Sequence, residues 1–301
     1  MSKKRIYAAG CGGMLGEAIY ETFKSDYIIK CSDKDVNTDW LSYLDFRDFD
    51  EYERQLEDFK PDYLFHIGAF TDLEYCESHE YETYMNNTLS VENAVRLANK
   101  LNIPIVYIST AGIFDGSKEV FDDWDKPNPL DVYARSKYMG ERYVVENTNR
   151  YIVFRAGWMM GGGPKKDKKF IGKLIQQIIN GQKELFVVND KKGTPTYTFD
   201  FAKTLKVVLE KEMWGLYNCV CGGETCRLDV AKELLKCLNL ESEIKITEVS
   251  SEYFKDEYFA PRPVCERLEN KKLSILGLNQ MRDWKTALNE YIKKDYNFLN
   301  N

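Results

Sequence analysis

The chain has 301 residues, of which 44% are hydrophobic and 30% charged, and its formal net charge is −6. This size and composition allow one large α/β domain or a domain with a smaller appendage. The acidic balance argues against a nucleic-acid partner, because the only basic cluster, at 165–169, is short and interrupted. No apolar run approaches the roughly 20 residues of a membrane span, and the charged start of the chain differs from a signal peptide. We therefore expect a cytoplasmic protein that contacts no membrane.

Short apolar runs alternate with amphipathic stretches along most of the chain. Helical patterns, such as those at 14–23 and 86–101, separate most of the runs. This alternation predicts an α/β fold in which a Rossmann-like, doubly wound parallel sheet carries helices on both faces. The runs that predict strands are 5–10, 27–33, 62–70, 103–110, 151–157, 183–189 and 215–221.

The pattern changes after about residue 222, where the chain becomes mostly helical. One charged strand candidate lies at 243–250, and a turn-rich segment, APRP, lies at 260–263. This change predicts a smaller C-terminal part packed on the first domain. Ligands of such folds bind outside the carboxyl ends of the strands.

Three cysteines, Cys219, Cys221 and Cys226, lie close enough in sequence to suggest a metal site. Both histidines, His66 and His79, are far away in sequence, and a tetrahedral site needs four ligands at a recognisable spacing. We therefore expect no metal and interpret the cysteines as small buried side chains. Cysteines in a chain of this length also fit a reducing compartment.

Three glycines follow the first predicted strand. Gly10, Gly13 and Gly16 form a Gly-x-x-Gly-x-x-Gly pattern at a strand-to-helix junction, where the backbone can approach a pyrophosphate and helix amides can hold its charge. An ordinary glycine turn is the alternative, but a dinucleotide fingerprint requires this position. Asp33, at the end of the second strand, suits an adenosine ribose and favours NAD, whereas Lys34 could tolerate the 2′-phosphate of NADP. The choice between the two cofactors stays open.

The sequence contains two Tyr-x-x-x-Lys pairs on predicted helices. Tyr20 and Lys24 have no partner motif, and we interpret them as surface residues. Tyr133 and Lys137 follow a loop that leads into a helix, and a strand ending at Thr110 precedes them. An ammonium beside a tyrosine lowers the phenol pKa, so Tyr133 could protonate an alkoxide while Thr110 hydrogen-bonds the same oxygen. An exposed amphipathic pair is the alternative.

Several longer stretches accompany these motifs almost from end to end. They are Leu44-Asp45, PDYLFHIGAFTDLEYCE (61–77), Asn87, STAGIFDG (109–116), PLDVYARSKYMGE (129–141), FRAGW (154–158), GTPTYTFDFA (193–202) and RPVCERLENKKLSILGL (262–278). Together they resemble the extended short-chain dehydrogenase/reductases and, within them, the dTDP-4-dehydrorhamnose reductase family of sugar-nucleotide enzymes. The glycine loop and Tyr-x-x-x-Lys alone indicate only the superfamily.

The resemblance implies a role for each matching residue. It gives Tyr133 as the acid, Lys137 as its partner and Thr110 as the hydroxyl helper. The cofactor contacts that it implies are Gly10, Gly13, Met14, Leu15, Asp33, Asp45, Ala69 and Lys137. The substrate contacts that it implies are Thr71, Leu73, Trp158 and Arg262, of which the arginine suits a nucleotide diphosphate.

Four departures from the family pattern cluster on the substrate side. Ala111-Gly112 replaces an Asp-Tyr pair whose tyrosine faces the sugar, and His66-Ile67-Gly68 replaces Asn-Ala-Ala. Lys169 stands where an asparagine is usual, and Glu266 replaces a serine. The redox core is kept while the exact sugar stays open.

The resemblance implies an NAD(P)H-dependent reductase of a nucleotide-linked 4-keto-6-deoxy sugar. An NAD-retaining epimerase or dehydratase is one alternative, although Ala111 lacks the acid that a dehydratase adds. A regulatory subunit of methionine adenosyltransferase, which binds a partner and reduces no sugar, is another. A homodimer is compatible with the sequence. We predict a dinucleotide-binding Rossmann domain at 1–157 and 184–226 and a sugar-nucleotide substrate domain at 158–183 and 227–301.

Overall fold

The centre of the fold is a parallel sheet of seven strands in the order β11-β6-β5-β4-β1-β2-β3. A computed structural model describes residues 3–299. The strands are β1 Arg5–Ala9, β2 Ile28–Asp33, β3 Leu41–Tyr43, β4 Tyr63–His66, β5 Ile105–Thr110, β6 Tyr151–Ala156, β7 Trp158–Met160, β8 Glu184–Val188, β9 Lys192–Gly193, β10 Pro195–Tyr197, β11 Gly215–Asn218, β12 Thr225–Cys226 and β13 Lys245–Val249. The strand order reverses between β1 and β4, and ligands of doubly wound sheets bind in the crevice at such a point.

Helices cover both faces of this sheet. They are α1 Gly16–Phe23, α2 Phe49–Phe59, α3 Leu73–Ser78, α4 Glu80–Tyr84, α5 Ser90–Lys100, α6 Val132–Asn147, α7 Gly163–Lys166, α8 Phe170–Ile179, α9 Thr198–Glu210, α10 Arg227–Cys237, α11 Lys271–Ile275 and α12 Trp284–Asp295. Short 3₁₀ turns lie at Ala111–Ile113, Ser251–Phe254 and Asn297–Leu299, and a π-helical turn lies at Met85–Leu89. The predicted doubly wound α/β fold is therefore confirmed.

Two buried apolar layers enclose the sheet. Residues of α1 and α9, such as Phe23 and Phe201, pack with Phe65 and Phe154 on one face. On the other face, residues of α2 and α5, such as Leu56 and Val95, pack with Tyr107. Strands buried on both sides explain why the sequence shows nearly continuous apolar runs instead of alternation.

All seven predicted strands form, but one lies outside the central sheet. β8, which the sequence assigns to the dinucleotide-binding domain, pairs in parallel with β13 in a two-stranded sheet. Leu185 and Val187 of β8 pack with Leu228 and Trp284 in a third apolar core. The edge position of the central sheet is occupied by β3, which is only three residues long and was not predicted.

The three cysteines that lie close together in sequence have different surroundings in the fold. Cys219 belongs to the core beside α9, and Cys221 belongs to the core of the C-terminal part. Cys226 is half-buried, and its thiol bonds to Asp229 Oδ2 at 3.1 Å. Within residues 3–299, no helix has the length and apolar character needed to cross a bilayer.

Candidate active site

The three predicted glycines differ in what surrounds them. A Cβ on Gly10, whose φ is +89°, would lie 2.2 Å from the Gly68 backbone, so only glycine fits where the loops after β1 and β4 touch. A Cβ on Gly16 would lie 1.8 Å from the Cys11 carbonyl oxygen. Nothing lies within 4 Å of a Cβ on Gly13, which is exposed at the start of α1. This loop therefore presents backbone amides with room for a phosphate group.

Two predicted cofactor contacts, Asp33 and Asp45, lie at the carboxyl end of β2 and just after β3. Asp33 Oδ2 accepts from the Gly12 N–H at 2.7 Å, which ties this carboxylate to the glycine loop. Asp45 accepts from Arg47 Nη2 at 2.5 Å and Nε at 2.9 Å. This ion pair lowers the pKa of Asp45. Asp33 therefore lies against the glycine loop, whereas Asp45 follows the edge strand β3.

The loop after β4 is held by an asparagine on the π-helical turn. Asn87 Oδ1 accepts from the Phe70 N–H at 2.8 Å, and its Nδ2 donates to the Phe70 carbonyl at 3.0 Å. The same Nδ2 donates to Ser136 Oγ on α6 at 3.1 Å. This single side chain joins the loop that carries Ala69 to the helix that carries the Tyr–Lys pair. π-helical turns are frequent at functional sites for this kind of re-aiming.

Tyr133 lies in the first turn of α6 and is half-buried. The helix starts at Asp131, whose side chain accepts from the Ala134 N–H at 2.7 Å. Burial raises the pKa of Tyr133, and a hydrogen bond with Thr110 opposes the rise. The expected lowering of this pKa by Lys137 is therefore not found in the protein alone, where burial is the largest cause and raises the pKa. A raised pKa keeps the phenol protonated, as a proton donor requires.

Lys137 is only 3% exposed, although a lysine with its usual pKa is charged at neutral pH. Burial lowers the pKa of Lys137 to about 7, and the charge of Glu141 opposes this shift. Its Nζ lies 4.2 Å from the centroid of the Tyr107 ring, on the neighbouring strand β5. Burial and, to a smaller extent, the charge of Lys137 lower the pKa of His66 to about 3. His66 ends β4, so the Lys137 charge acts at the carboxyl end of that strand.

A second group of polar side chains faces Tyr133 from the C-terminal part. Trp158 donates from Nε1 to Glu266 Oε2 at 2.7 Å. A Cβ on Gly112 would lie 3.8 Å from Glu266 Oε1, so this carboxylate reaches the space beside Thr110. The Arg227 guanidinium stacks 3.7 Å from the Trp158 ring centroid. Burial lowers the pKa of Arg227 to about 10, while Glu266 opposes the shift.

The remaining predicted substrate contacts meet at α3. Arg262 Nη2 lies 2.6 Å from Glu74 Oε1, within the helix that Leu73 begins. Lys169 donates from Nζ to the Thr71 carbonyl at 2.6 Å. Thr71 is exposed and Leu73 is half-buried. The structure therefore gathers Thr71, Leu73 and Arg262 at α3, which forms one wall of the site, and joins Trp158 to Glu266, which form another.

Sequence reasoning missed three functional candidates at this site. Arg227 had no motif, and only its position after the Gly-Gly turn could have suggested a place near the strand ends. Asp131 ends the loop before Tyr133 and has no motif of its own. It is only 2% exposed, and burial raises its pKa to about 6. Glu266 was noted as a departure without a role. All three need the long-range packing of the C-terminal part to become visible.

The other Tyr-x-x-x-Lys pair lies away from this crevice. Lys24 is exposed and pairs with Glu21 at 2.6 Å. Tyr20 is half-buried because its ring stacks on Trp40, with centroids 4.6 Å apart. The surface interpretation therefore holds for Lys24 but not fully for Tyr20.

Residues 4–297 match the family model described as the RmlD substrate binding domain. A dTDP-4-dehydrorhamnose reductase of Mycobacterium tuberculosis is 26% identical over 95% of this chain and 91% of its own length. A methionine adenosyltransferase 2 subunit beta of Xenopus tropicalis is 23% identical over 95% and 86%. The dTDP-4-dehydrorhamnose reductase of Bacillus anthracis, solved in complex with NADP, superposes with a TM-score of 0.88 at 26% identity, covering 97% of this chain and 100% of that one.

Proposed function

This chain belongs to the RmlD substrate binding domain family, and on that premise we propose that it is an NAD(P)H-dependent oxidoreductase. Its substrate would be a nucleotide-linked 4-keto-6-deoxy sugar, which it reduces at the 4-keto carbon. The supporting observation is the meeting of Thr110, Tyr133 and Lys137 at the carboxyl edge of the sheet. There the Thr110 hydroxyl and the Tyr133 phenol are hydrogen-bonded. The charge of Lys137 acts on His66 at the end of β4.

The residues of the glycine loop fit a dinucleotide. Gly13 is open on the side where a pyrophosphate would approach the amides of α1, whereas any side chain on Gly10 or Gly16 would collide with backbone. We assign the cofactor contacts to Gly10, Gly13, Met14, Leu15, Asp33, Asp45, Ala69 and Lys137. The complex of the B. anthracis relative with NADP supports this cofactor class. We expect use of both NADH and NADPH.

When bound, the reduced nicotinamide supplies the hydride that reaches the 4-keto carbon. Tyr133 donates its phenolic proton to the oxygen that becomes the alcohol, so the carbonyl gains one hydride and one proton in total. Thr110 hydrogen-bonds the same oxygen and the phenol. Lys137 stabilises the phenolate left after the transfer and holds the ribose next to the hydride donor. Burial lowers the pKa of Lys137 to about 7 in the protein alone. A negatively charged group bound beside it would raise this pKa and favour the ammonium form.

The substrate contacts would come from both walls of the site. Arg262 suits the diphosphate because a guanidinium binds two oxygens at once. Thr71 and Leu73 lie at the same wall, and Trp158 faces the sugar together with Glu266. In this proposal, residues 1–157 and 184–226 hold the dinucleotide and residues 158–183 and 227–301 hold the sugar nucleotide.

The test follows the oxidation of NADH and of NADPH, by loss of the absorbance of the reduced nicotinamide, against a panel of nucleotide-linked 4-keto-6-deoxy sugars. The expected result is oxidation with one sugar nucleotide of the panel and its abolition in Tyr133→Phe. Oxidation with none of the panel, while the dinucleotide still binds, would contradict the reductase function.

A second candidate function is a regulatory subunit that binds a partner protein. The likeness to methionine adenosyltransferase 2 subunit beta favours it. The presence of the whole Thr110, Tyr133 and Lys137 set favours the enzyme instead, since a binding subunit has no use for a proton donor. A tagged chain that retains a methionine adenosyltransferase from source lysate, without reducing any sugar of the panel, would reverse this order.

A further inference from the structure

One lysine beside the glycine loop has no partner for its charge within residues 3–299. Lys166 ends α7 in the loop after β7 and is half-buried. Its Nζ is shielded from solvent, and no acceptor among residues 3–299 lies within hydrogen-bond distance. A buried ammonium without a hydrogen bond or counter-charge is strongly unfavourable, so such groups are normally paired or satisfied by a ligand.

The loop that carries this lysine packs against the start of α1. A Cβ on Gly162 would lie 3.0 Å from Met14 Cα and 2.9 Å from Lys166 Cβ, so these segments are in direct contact. Lys166 Nζ lies 5.3 Å from the ring centroid of Trp40, which borders the same loop from the β2–β3 connection. Burial raises the pKa of Cys11, and the Lys166 charge opposes the rise. The ammonium therefore lies within reach of the glycine loop.

The start of α1 contributes positive potential at this place, and the Asp33 carboxylate, which accepts from the Gly12 N–H at 2.7 Å, contributes negative potential beside it. The free amides at the start of α1 carry the positive end of the helix dipole, and Gly13 leaves their approach open. A shielded ammonium without a hydrogen-bond partner at this place favours the binding of an anion. The contact with Trp40 alone offers only a weak compensation, on the order of 1–2 kcal/mol.

We propose that Lys166 binds a phosphate group of the dinucleotide, as a second clamp that reaches the glycine loop from the substrate side. The inference rests on the proposed dinucleotide binding, not on the identity of the sugar. The phosphate would belong to the pyrophosphate or to the 2′-phosphate of NADP. Because α7 follows β7 and leads to α8, this contact would also join the cofactor to the part of the chain that carries Lys169.

The test is calorimetric titration of the full chain with NADH and with NADPH, comparing Lys166→Met with the wild type. Lys165→Met is the matched control, because Lys165 belongs to the same short helix but is exposed. A lost charge-assisted hydrogen bond should weaken affinity roughly 10- to 100-fold. Equal weakening for both dinucleotides identifies the pyrophosphate, and weakening for NADPH alone identifies the 2′-phosphate. The control should leave both affinities within about twofold of the wild type.

The thermal unfolding temperature without dinucleotide separates ligand binding from a structural role. Removing a buried unpaired charge should leave this temperature unchanged or raise it. Unchanged affinity in Lys166→Met would overturn the inference while leaving the proposed function intact. Weakened affinity together with a lower unfolding temperature would identify a structural lysine and overturn it as well. A wild-type chain that binds neither dinucleotide would overturn both the inference and the proposed function.

Discussion

Arg262 Nη2 lies 2.6 Å from Glu74 Oε1, so the guanidinium assigned to a substrate diphosphate is held by a carboxylate of α3. The pair is partly exposed, with 27% and 22% of the two side chains accessible, so the bond is weak enough to exchange. A diphosphate would compete with Glu74 for Nη2, because Nη1 donates to the Ala260 carbonyl instead. The Arg262 side chain would then exchange between two anionic partners.

Changing Glu74 to Gln should strengthen the binding of dTDP by up to about fivefold, because a surface ion pair of this kind contributes at most ~1 kcal/mol. Arg262→Ala should weaken dTDP binding roughly 10-fold or more, since a charge-assisted contact is lost. Calorimetry measures both values, and Glu248→Gln, at an exposed pair with Lys232, is the control. Weaker binding by Glu74→Gln would show that this carboxylate orients the arginine instead of competing for it.

Tyr133→Phe keeps the ring and removes the hydroxyl, so the fold should survive. Turnover should fall about 100- to 10,000-fold, the range of general acid catalysis, while dinucleotide affinity changes little. Tyr20→Phe is the matched control, because its ring would still stack on Trp40. The measurement is the steady-state turnover of both variants compared with the wild type. Wild-type turnover in Tyr133→Phe would exclude the proton donor role of Tyr133.

Lys137 predicts a particular pH dependence of stability. Burial lowers its pKa from the ordinary 10.5 to about 7, so between these values the unfolded chain binds more protons than the folded one. Stability from this group therefore rises with pH through that window and is lowest below it. Lys137→Met lacks the group, so its unfolding free energy should exceed that of the wild type most below pH 7 and approach it near pH 10.

Urea unfolding at several pH values, without dinucleotide, measures this difference. Lys165→Met, at an exposed lysine, should show no such pH-dependent gap. A constant difference between Lys137→Met and the wild type at all pH values would mean that Lys137 remains charged in the folded protein.

Asp33→Ala should shift cofactor preference toward NADPH, since a carboxylate beside the ribose repels a 2′-phosphate. The substitution also removes the hydrogen bond from the Gly12 N–H, which is 2.7 Å long. This loss should weaken the binding of both cofactors by a similar factor. The ratio of kcat/KM for the two cofactors is therefore the informative quantity. A ratio that moves toward NADH would show that Asp33 does not face the ribose.

Glu266→Gln tests the carboxylate beside Gly112. Its Oε1 is directed to the space next to Thr110, where it can accept a hydrogen bond from a sugar hydroxyl. The variant should lose roughly 10- to 100-fold in kcat/KM for the sugar nucleotide, with unchanged dinucleotide affinity. Glu269→Gln, at an exposed position in the same segment, is the control. Equal losses in the two variants would assign the effect to overall charge.

The sequence by itself determined the elements whose signals are local. Apolar runs placed all seven predicted strands, because a strand buried on both faces leaves a continuous hydrophobic trace. The spacing of Gly10, Gly13 and Gly16 indicated the loop that the structure opens at the start of α1. The resemblance also named Thr110 and Tyr133 together, and a side-chain hydrogen bond joins them in the folded chain.

Only the tertiary structure decided the partners and the charge states. The pairing of β8 with β13, and the short edge strand β3, depend on contacts between distant segments that periodicity does not record. The direction of the Tyr133 pKa shift depends on how much water the packed site excludes, which no motif specifies. The surroundings of Lys166 are likewise absent from the sequence, where the residue is only one member of the short basic cluster at 165–169. Its isolation beside the glycine loop appears only when β7 and α1 are brought together, because burial is a property of the fold and not of a residue.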